Sequence, residues 1–547
     1  MKRNAKKRGK SIKILAIVLV VALAAGAGVF FFLTRSEPLK IAARSTIITH
    51  WDQQGITKYF EAKLNVKIKW IDYGTDSAEI YAHLQRDIGA ETKDLPDFYL
   101  GLGLEATQLD ALLRQNMFLN FNGMVKDYAP ELQKIINSDI SRKAEMMQNG
   151  GLYSFPSLNE QYAEEYPQKA WINNTWLLRT KQSVPTTPEQ LLAVLRAFKT
   201  GDPNGNGIAD EIPLGAACRD AGSSAAGTSL GYLVQPFVTT DYDLTETNYL
   251  NVRDGKIYAG VMEPGYKSAL QYLNTLYSEG LVDQTVFSQG SEVFLRASRE
   301  AETYGVILAK DINALFNDPE RAAAYVPLPP LTKGDQRSTL VRRSKINSGG
   351  LLIPNRIALE RQKIALAFGD AMLSDEGSLT VCYGSENTGW FKADGGTALG
   401  GSHVTWRLAP EAVDSTAIYS GLTGAMPYWL DAQLQMERQA KAVNGGNVLQ
   451  TTANWAGYLN KVTKENYEET GRACLQYALP ELVAGDSTES LPHAAVVGYL
   501  TQASRDFVTG RLNLETEWSA YLAALKEKGV EKILQAVQSA YTREMQA

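Results

Sequence analysis

The sequence predicts an α/β protein built on a parallel sheet and preceded by one N-terminal transmembrane helix. Three observations lead to this fold class. Short apolar runs alternate with helical patterns, the composition is that of a globular chain, and an unbroken apolar stretch stands near the start. The chain has 547 residues, of which 44% are hydrophobic and 21% are charged. That length gives room for two or three domains with sizeable cores.

The first elements follow one another as strand, helix, strand, helix and strand. Leu39 to Ala43 indicates a strand, and residues 53–63 have helical periodicity. A second strand is predicted over 66–71, a helix over 77–88, and a third strand over 96–100. Strands separated by helices imply parallel pairing with right-handed crossovers.

Later elements carry clear start and stop signals. Thr187-Pro-Glu-Gln190 is a capping box with proline at the first helical position, and apolar residues follow it at helical spacing. We expect a buried strand over 304–309 and a long helix over 357–372. Two helices, 515–528 and 530–545, end the chain with Gly529 as the cap between them.

The N-terminal segment predicts a membrane anchor. Seven basic residues precede the apolar run from Ile14 to Leu33, which is long enough to span a bilayer. The positive-inside rule places residues 1–13 in the cytoplasm, a transmembrane anchor at 14–34, and the remainder outside the cell. Cleavage as a signal peptide, followed by secretion, is the alternative, because small residues lie within the run.

The charge balance argues against nucleic acid as a partner. Eight of the 55 basic residues lie in 1–35, so the remainder carries 47 basic against 60 acidic residues, a net charge of −13. Phosphate binding requires clustered lysine and arginine. The three cysteines are widely spaced and predict neither a disulfide framework nor a zinc site.

An oxygen-rich loop at residues 202–211 predicts a calcium site. Acids and amides alternate along Asp202-Pro-Asn-Gly-Asn-Gly-Ile-Ala-Asp-Glu211, and a hard cation takes six to eight oxygens. The first nine positions follow an EF-hand loop, but the twelfth, which should be a bidentate glutamate, is Pro213. A solvated Asx-rich turn is the alternative. The expected calcium ligands are Asp202, Asn204, Asn206, the carbonyl of Ile208, Asp210 and Glu211.

Several segments together resemble one family, the large extracellular solute-binding proteins of bacterial ABC importers for oligosaccharides. The most recognisable block runs from Trp171-Ile-Asn-Asn-Thr-Trp-Leu-Leu178 through Val184-Pro-Thr-Thr-Pro-Glu-Gln190 to the oxygen-rich loop. Leu373-Ser-Asp-Glu-Gly-Ser-Leu379 and Val508-Thr-Gly510 are similar to later blocks. Members usually carry a lipid-anchoring cysteine near the start, which this sequence lacks.

The resemblance implies a two-lobed, periplasmic-binding-protein-like (type II) clamp. The N-lobe would comprise residues 39–158 and about 326–410, and the C-lobe 159–325 and about 411–547. It also implies a monomeric, non-catalytic receptor that closes by hinge motion on an oligosaccharide and delivers it to the permease subunits of an ABC transporter. In this family the calcium is structural and lies away from the ligand cleft. A tether serves a cell without an outer membrane, where an untethered receptor would diffuse away, so we expect a Gram-positive surface.

A sugar clamp needs flat aromatic faces flanked by hydrogen-bonding side chains. The candidates lie where strands end and where the chain crosses between lobes, although a tryptophan is as often a core residue. The expected ligand-binding residues are Trp51, Asp52, Tyr73, Glu105, Tyr162, Trp390 and Trp429.

The enzyme motifs lack their structural context. Gly227-Thr-Ser-Leu-Gly231 matches a nucleophile elbow but follows no apolar strand, and Gly101-Leu-Gly-Leu-Glu-Ala106 follows the third strand rather than the first. The four histidines show no metal-hydrolase spacing. Two alternatives stay open: an exported glycoside hydrolase or lyase, which needs two carboxylates at a defined separation, and a ligand sensor that docks on a membrane kinase.

Overall fold

The structure is a computed structural model. It describes residues 37–138, 142, 146–148, 150–166, 168–217, 230–240, 249–300, 303–316, 318–334, 336–337, 339–343, 346–401, 403–409, 426–442, 454–468, 472–476 and 491–546. The predicted anchor at 14–34 and Ser229 of the elbow motif lie outside these residues. Within them, no helix is both long and apolar enough to cross a membrane.

The strands are numbered in chain order. They are β1 Leu39–Ala43, β2 Ile68–Asp72, β3 Phe98–Leu100, β4 Ser154–Asn159, β5 Ala170–Asn173, β6 Ile212–Gly215, β7 Leu250–Arg253, β8 Lys256–Ala259, β9 Tyr304–Leu308, β10 Tyr325–Leu328, β11 Thr332–Lys333, β12 Gln336–Arg337, β13 Thr339–Arg343, β14 Ile346–Leu352, β15 Trp390–Lys392, β16 Trp406–Leu408, β17 Tyr428–Leu430 and β18 Arg472–Gln476.

The helices connect and cover these strands. The α-helices are Ser45–Gln53, Ile56–Leu64, Ser77–Gly89, Ala106–Arg114, Val125–Tyr128, Pro130–Ser138, Tyr162–Glu165, Asn174–Arg179, Pro188–Thr200, Gly231–Val234, Pro264–Ser278, Ser291–Glu300, Ile312–Phe316, Pro319–Ala323, Leu359–Leu373, Asp375–Tyr383, Ala432–Met436, Trp455–Thr463, His493–Val508, Leu514–Glu527 and Val530–Gln546.

Local sequence signals explain several of these boundaries. Thr187 accepts the Gln190 N–H at 3.2 Å and starts the helix from Pro188, as its capping box predicts. Gly529, at φ 94°, separates the last two helices as predicted. The predicted helix over 53–63 is instead two helices, because Gly55 adopts φ 69° and breaks the hydrogen-bonding pattern after Gln53.

The first sheet has the strand order β17-β4-β14-β3-β1-β2. Pairing of β1 with β2 and with β3 is parallel, as the strand–helix alternation predicts. β17 is parallel to β4, whereas β14 runs antiparallel to both β3 and β4. Five strands therefore share one direction, and the antiparallel β14 was not predicted.

The second sheet has the order β10-β5-β9-β6. β6 is parallel to β9, and β5 runs antiparallel to its neighbours β9 and β10. Each sheet has its own apolar core: one core includes Ile41, Phe98 and Phe368, and the other includes Ile172, Phe198 and Leu270. Two separate cores around two sheets make two lobes.

Along its described residues, the chain crosses between the sheets three times. It leaves the first sheet after β4, returns between β10 and β14, and leaves again after β17. Because Tyr428–Leu430 pairs with β4, the last departure follows Leu430 rather than residue 410, where the N-lobe was predicted to end. The return similarly follows Leu328, which still pairs with β5.

Candidate ligand cleft and calcium loop

All three crossings join the carboxyl edges of the two sheets. The five codirectional strands of the first sheet end at this edge, and β14 begins there, with Ile346 opposite Leu158. In the second sheet, Leu308 and Leu328 flank Ala170, the first residue of β5. Ligands of open α/β sheets bind outside the carboxyl ends of strands. The candidate cleft therefore lies where these two edges meet.

Three side chains from separate segments connect at the first-lobe edge. Glu160 is the first residue after β4, and its Oε2 accepts the indole N–H of Trp429 at 2.9 Å. Its Oε1 forms an ion pair with Arg142 Nη2, and both charged side chains are largely buried. The Glu160 N–H also donates to the Leu430 carbonyl at 2.9 Å. These contacts tie the ends of β4 and β17 together where two crossings begin.

Burial changes the acidity of Glu160. Desolvation raises the pKa of its carboxyl group to about 7, and Asp431 and Glu165 act in the same direction. Arg142 and the Trp429 hydrogen bond oppose the shift because they favour the carboxylate. The carboxyl group therefore titrates near neutrality.

The second-lobe edge carries a buried lysine. Lys169 precedes β5 and is 2% exposed, and its Nζ donates to the Ala163 carbonyl at 2.8 Å. In a longer helix the Ala163 carbonyl would accept the N–H of the residue four positions on. That residue is Pro167, which has no N–H, and the carbonyl accepts from Lys169 Nζ instead. Burial lowers the pKa of Lys169, and Lys310 adds to the effect. This contact fixes the end of the first crossing.

A tryptophan and an aspartate are held together on the same edge. Asp311 follows β9, and its Oδ1 accepts the Trp455 indole N–H at 2.7 Å and the Asn313 N–H at 2.8 Å. Trp455 is 4% exposed and begins the first helix described after the last crossing. The edge thus combines aromatic and carboxylate groups, although this indole is buried.

Three of the predicted ligand-binding aromatics are core residues in this structure. Trp51 is 2% exposed and stacks on Phe60 with ring centroids 5.3 Å apart. Tyr73 is buried, stacks on His83 at 4.7 Å, and donates to Asp87. Trp390 is also buried, in the first-lobe core. None of the three offers the exposed aromatic face that was predicted, because local patterns do not reveal distant packing partners.

The other four predicted residues are at least partly exposed. Trp429 and Tyr162 lie at the crossings, and Lys464 Nζ stands 5.8 Å from the Tyr162 ring centroid. Glu105 lies at the carboxyl edge after β3, where its N–H donates to Gln108 Oε1 at 3.0 Å in a capping box. Asp52 accepts the Thr57 hydroxyl at 2.8 Å, but its helix leads away from that edge. Trp429, Tyr162 and Glu105 stay candidates for the cleft.

The sequence reasoning missed several polar residues at these edges. Glu160 directly follows β4 and Asp311 comes three residues after β9, so the rule that selected Glu105, a polar residue after a strand end, would have found them. Arg142 carries no such signal, since its partner is known only from the fold. The same applies to Lys169, whose role depends on a helix of four residues.

The oxygen-rich loop joins the helix Pro188–Thr200 to β6. Asp202 adopts φ 44°, and its carboxylate accepts the N–H groups of Gly205, Asn206 and Gly207 at 3.0 to 3.1 Å. Arg179 Nη1 donates to the Pro203 and Asn204 carbonyls and fastens the loop to the second lobe. No helix follows the loop, in agreement with the proline at the twelfth position.

The residues of the loop fit a calcium ion in their chemistry. The side-chain amides of Asn204 and Asn206 donate to Asp210 at 2.9 and 3.1 Å, and an amide turned over presents an oxygen instead. Glu211 Oε1 is buried and has no hydrogen-bond partner among the described residues. Among the described residues, including those of this loop, no three Asp, Glu, His or Cys side chains lie close enough together to hold a metal ion by themselves. A cation here would need the amide and carbonyl oxygens as well.

Comparison with known proteins supports the fold. The chain is 29% identical over 313 residues to the fructooligosaccharide ABC transporter substrate-binding protein FusA of Streptococcus pneumoniae serotype 4, covering 56% of this chain and 55% of that protein. The aligned part of the chain thus spans about half the length of this relative. No protein-family model matches the chain.

Solved structures match over nearly the whole length. The extracellular solute-binding protein from Bifidobacterium longum subsp. infantis gives a TM-score of 0.67 at 19% identity, covering 93% of this chain and 99% of that chain. The fold is that of an extracellular solute-binding protein. FusA from S. pneumoniae in complex with kestose gives 0.56 at 21% identity, covering 92% and 99% of the two chains. An EF-hand mutant of FusA in complex with fructo-nystose matches equally well. The predicted two-lobed α/β architecture is thereby confirmed.

Proposed function

We propose that this protein is an extracellular oligosaccharide receptor that delivers its ligand to the permease of an ABC transporter without making or breaking a bond. The observation that carries the proposal is the meeting of two carboxyl edges at three crossings. This arrangement would leave a ligand cleft between the two lobes. The similarity to FusA, a fructooligosaccharide substrate-binding protein, supports carbohydrate as the ligand class.

Hinge closure would supply the signal to the permease. A ligand that contacts both lobes at once binds the closed state more tightly than the open state. The difference between these two binding free energies sets how far the ligand shifts the protein towards the closed state. Trp429, Tyr162 and Glu105 are the predicted contacts that the fold leaves exposed, at least in part, near the edges. The receptor would act as a monomer.

Calcium would be a structural cation in the loop at 202–211. The ligands would be Asp202, Asn204, Asn206, the Ile208 carbonyl, Asp210 and Glu211. The charge of the cation would offset the negative charges of the three carboxylates in this set. The buried, unpartnered Glu211 oxygen supports this assignment within the described part of the chain. FusA, for which an EF-hand mutant exists, offers a parallel.

The apolar segment at 14–34 would anchor the receptor in the cell membrane as a single pass, with residues 1–13 in the cytoplasm. A tether suits a Gram-positive surface, where an untethered receptor would diffuse away. Secretion after signal cleavage is the alternative. The lobes would comprise 39–158 with 346–410 and 426–430, and 168–328 with 454–546.

Thermal-shift measurements on the purified protein test the receptor function. A glycan panel that includes kestose, nystose, maltotriose and cellotriose is screened with calcium present. A ligand that binds the folded state raises the melting temperature by mass action. We expect at least one oligosaccharide to raise it in a concentration-dependent way, and peptides of similar size to leave it unchanged.

Three outcomes would contradict the proposal or its ligand class. Release of reducing ends or unsaturated products from the same glycans would indicate an exported glycoside hydrolase or lyase. Co-purification of a membrane kinase rather than permease subunits from solubilised membranes would indicate a sensor. If only non-sugar solutes shift the melting temperature, the carbohydrate assignment is wrong.

A further inference from the structure

The Arg142–Glu160–Trp429 cluster is joined by one ion pair and one hydrogen bond and lies where two crossings begin. The Trp429 indole N–H is held by Glu160 at 2.9 Å, and its backbone N–H donates to Ser378 Oγ at 2.8 Å. Arg142 is in turn fixed by donation to Ser138 Oγ at 2.7 Å. Tyr428 and Leu430, on either side of Trp429, are buried in the first lobe, whereas Trp429 itself is partly exposed.

A buried ion pair at this place calls for a reason. Taking two charges out of water costs several kcal/mol per ion, by order of magnitude, and an apolar pair of similar volume often stabilises a fold as well. A charged acceptor, however, makes a hydrogen bond roughly twice as strong as a neutral one. The pair therefore gives the indole a single, strongly held orientation, which a pre-formed binding surface needs.

We propose that Arg142 and Glu160 are positioning residues that hold the Trp429 indole as the aromatic platform for a sugar ring, so that oligosaccharide affinity falls when Glu160 takes up a proton. The inference rests on the proposed receptor function. Pyranose and furanose rings pack their C–H faces on flat aromatic surfaces, and a fixed ring loses less entropy on binding than a mobile one.

The charges around Glu160 set where this change occurs. Arg142 favours the carboxylate form of Glu160. Two neighbouring acids favour the protonated form: Asp431, which follows β17, and Glu165, in the helix Tyr162–Glu165 of the first crossing. Burial is the largest influence and raises the pKa of Glu160 to about 7. Protonation would therefore occur around neutral pH. The neutral acid holds the indole less firmly, and Arg142 loses its counter-charge.

The experiment uses the full-length protein and two readouts. Intrinsic fluorescence is titrated from pH 5 to 9 without glycan, and the Trp429 signal is taken as the difference between wild type and Trp429→Phe. Affinity is measured by calorimetry at pH 6 and 8 with the glycan that gives the largest thermal shift in the panel above. Trp518→Phe and Glu292→Gln are matched controls: Trp518 is a partly buried tryptophan among the C-terminal helices, and Glu292 is an exposed acid.

We expect a Trp429 fluorescence transition near pH 7 that Glu160→Gln abolishes. Affinity should be roughly tenfold weaker at pH 6 than at pH 8 in wild type, and independent of pH in Glu160→Gln, since a charged hydrogen bond is lost. Trp429→Ala should weaken affinity on the order of tenfold to a hundredfold at both pH values. If Glu160→Gln folds poorly because Arg142 is left buried alone, the double variant Arg142→Met with Glu160→Gln replaces it.

Three results would overturn the inference. One is a Trp429 transition that persists in the Glu160 variant, and another is an affinity that Trp429→Ala leaves unchanged. The third is the same pH dependence of affinity in wild type and in the Glu160 variant. If no glycan binds at any pH, the receptor function fails and the platform fails with it. If the protein binds glycans and Trp429 contributes nothing to affinity, the receptor function stands and only the role of Trp429 as the aromatic platform is wrong.

Discussion

Glu211 offers the sharpest test of the oxygen-rich loop. Its Oε1 is buried without a hydrogen-bond partner within the described residues, so the carboxylate is a cost to the folded state unless a cation neutralises it. The change Glu211→Gln removes that charge and keeps the shape. We therefore expect the variant to be at least as stable as the wild type in chelator, yet to gain nothing from calcium.

The size of the calcium effect follows from mass action. Extracellular calcium modules bind with dissociation constants of about 10⁻⁴ to 10⁻³ M, and the missing twelfth-position glutamate places this loop in that weaker class. At about 10 mM calcium and a constant of about 10⁻⁴ M, the folded state gains about 2.7 kcal/mol. For a lobe of roughly 200 residues this corresponds to about 5 to 11 °C in melting temperature.

The assay is differential scanning fluorimetry of wild type and Glu211→Gln in calcium, in magnesium and in chelator. The control Glu189→Gln makes the same chemical change at an exposed position on the preceding helix. Wild type and control should gain several degrees from calcium, and Glu211→Gln should not. A calcium shift that survives in Glu211→Gln, or no shift in wild type, would refute the assignment of this residue as a ligand.

Other perturbations test the packing and titration of the two lobes. Trp51→Ala should lower the free energy of unfolding by about 3 to 5 kcal/mol in urea titrations, because its ring is part of the core. Under conditions where the variant is fully folded, its glycan affinity should stay unchanged. Gly305→Ala should destabilise by about 1 to 3 kcal/mol, since a methyl group there would meet the Phe198 ring and, at 2.8 Å, Trp176. Burial raises the pKa of Asp370 to about 6, so the folded state holds a proton more tightly than the unfolded chain. Stability should therefore fall as pH rises from about 4 to about 6, and Asp370→Asn should remove that slope in urea titrations at several pH values.

Local signals in the sequence predicted the first three strands of the first sheet well. The predicted bounds of β1 match the structure, and the helices after Thr187 and around Gly529 begin and end as their caps indicate. Those features depend on neighbours within a few residues. The antiparallel β14 and the return of β17 to the first sheet depend on pairing between residues hundreds of positions apart, which no periodicity records.

The candidate site shows the same division between local and distant causes. Trp51 and Trp429 were both predicted to bind ligand, yet Trp51 packs against Phe368, 317 positions away in the sequence, whereas Trp429 stays partly exposed. Their difference is a matter of tertiary packing. Residues such as Arg142 matter only through the partners that the fold provides.

The position of the oxygen-rich loop explains why calcium and ligand should act separately. The loop leads into β6 at Ile212, which pairs with Tyr304 at the amino end of β9. The crossings meet the opposite end of these strands, near Leu308 and Ala309. A strand of four to five residues spans roughly 15 Å, so the loop and the cleft lie at opposite edges of one sheet. Calcium bound there would stabilise the second lobe as a whole, and its removal should weaken glycan binding only to the extent that the lobe unfolds.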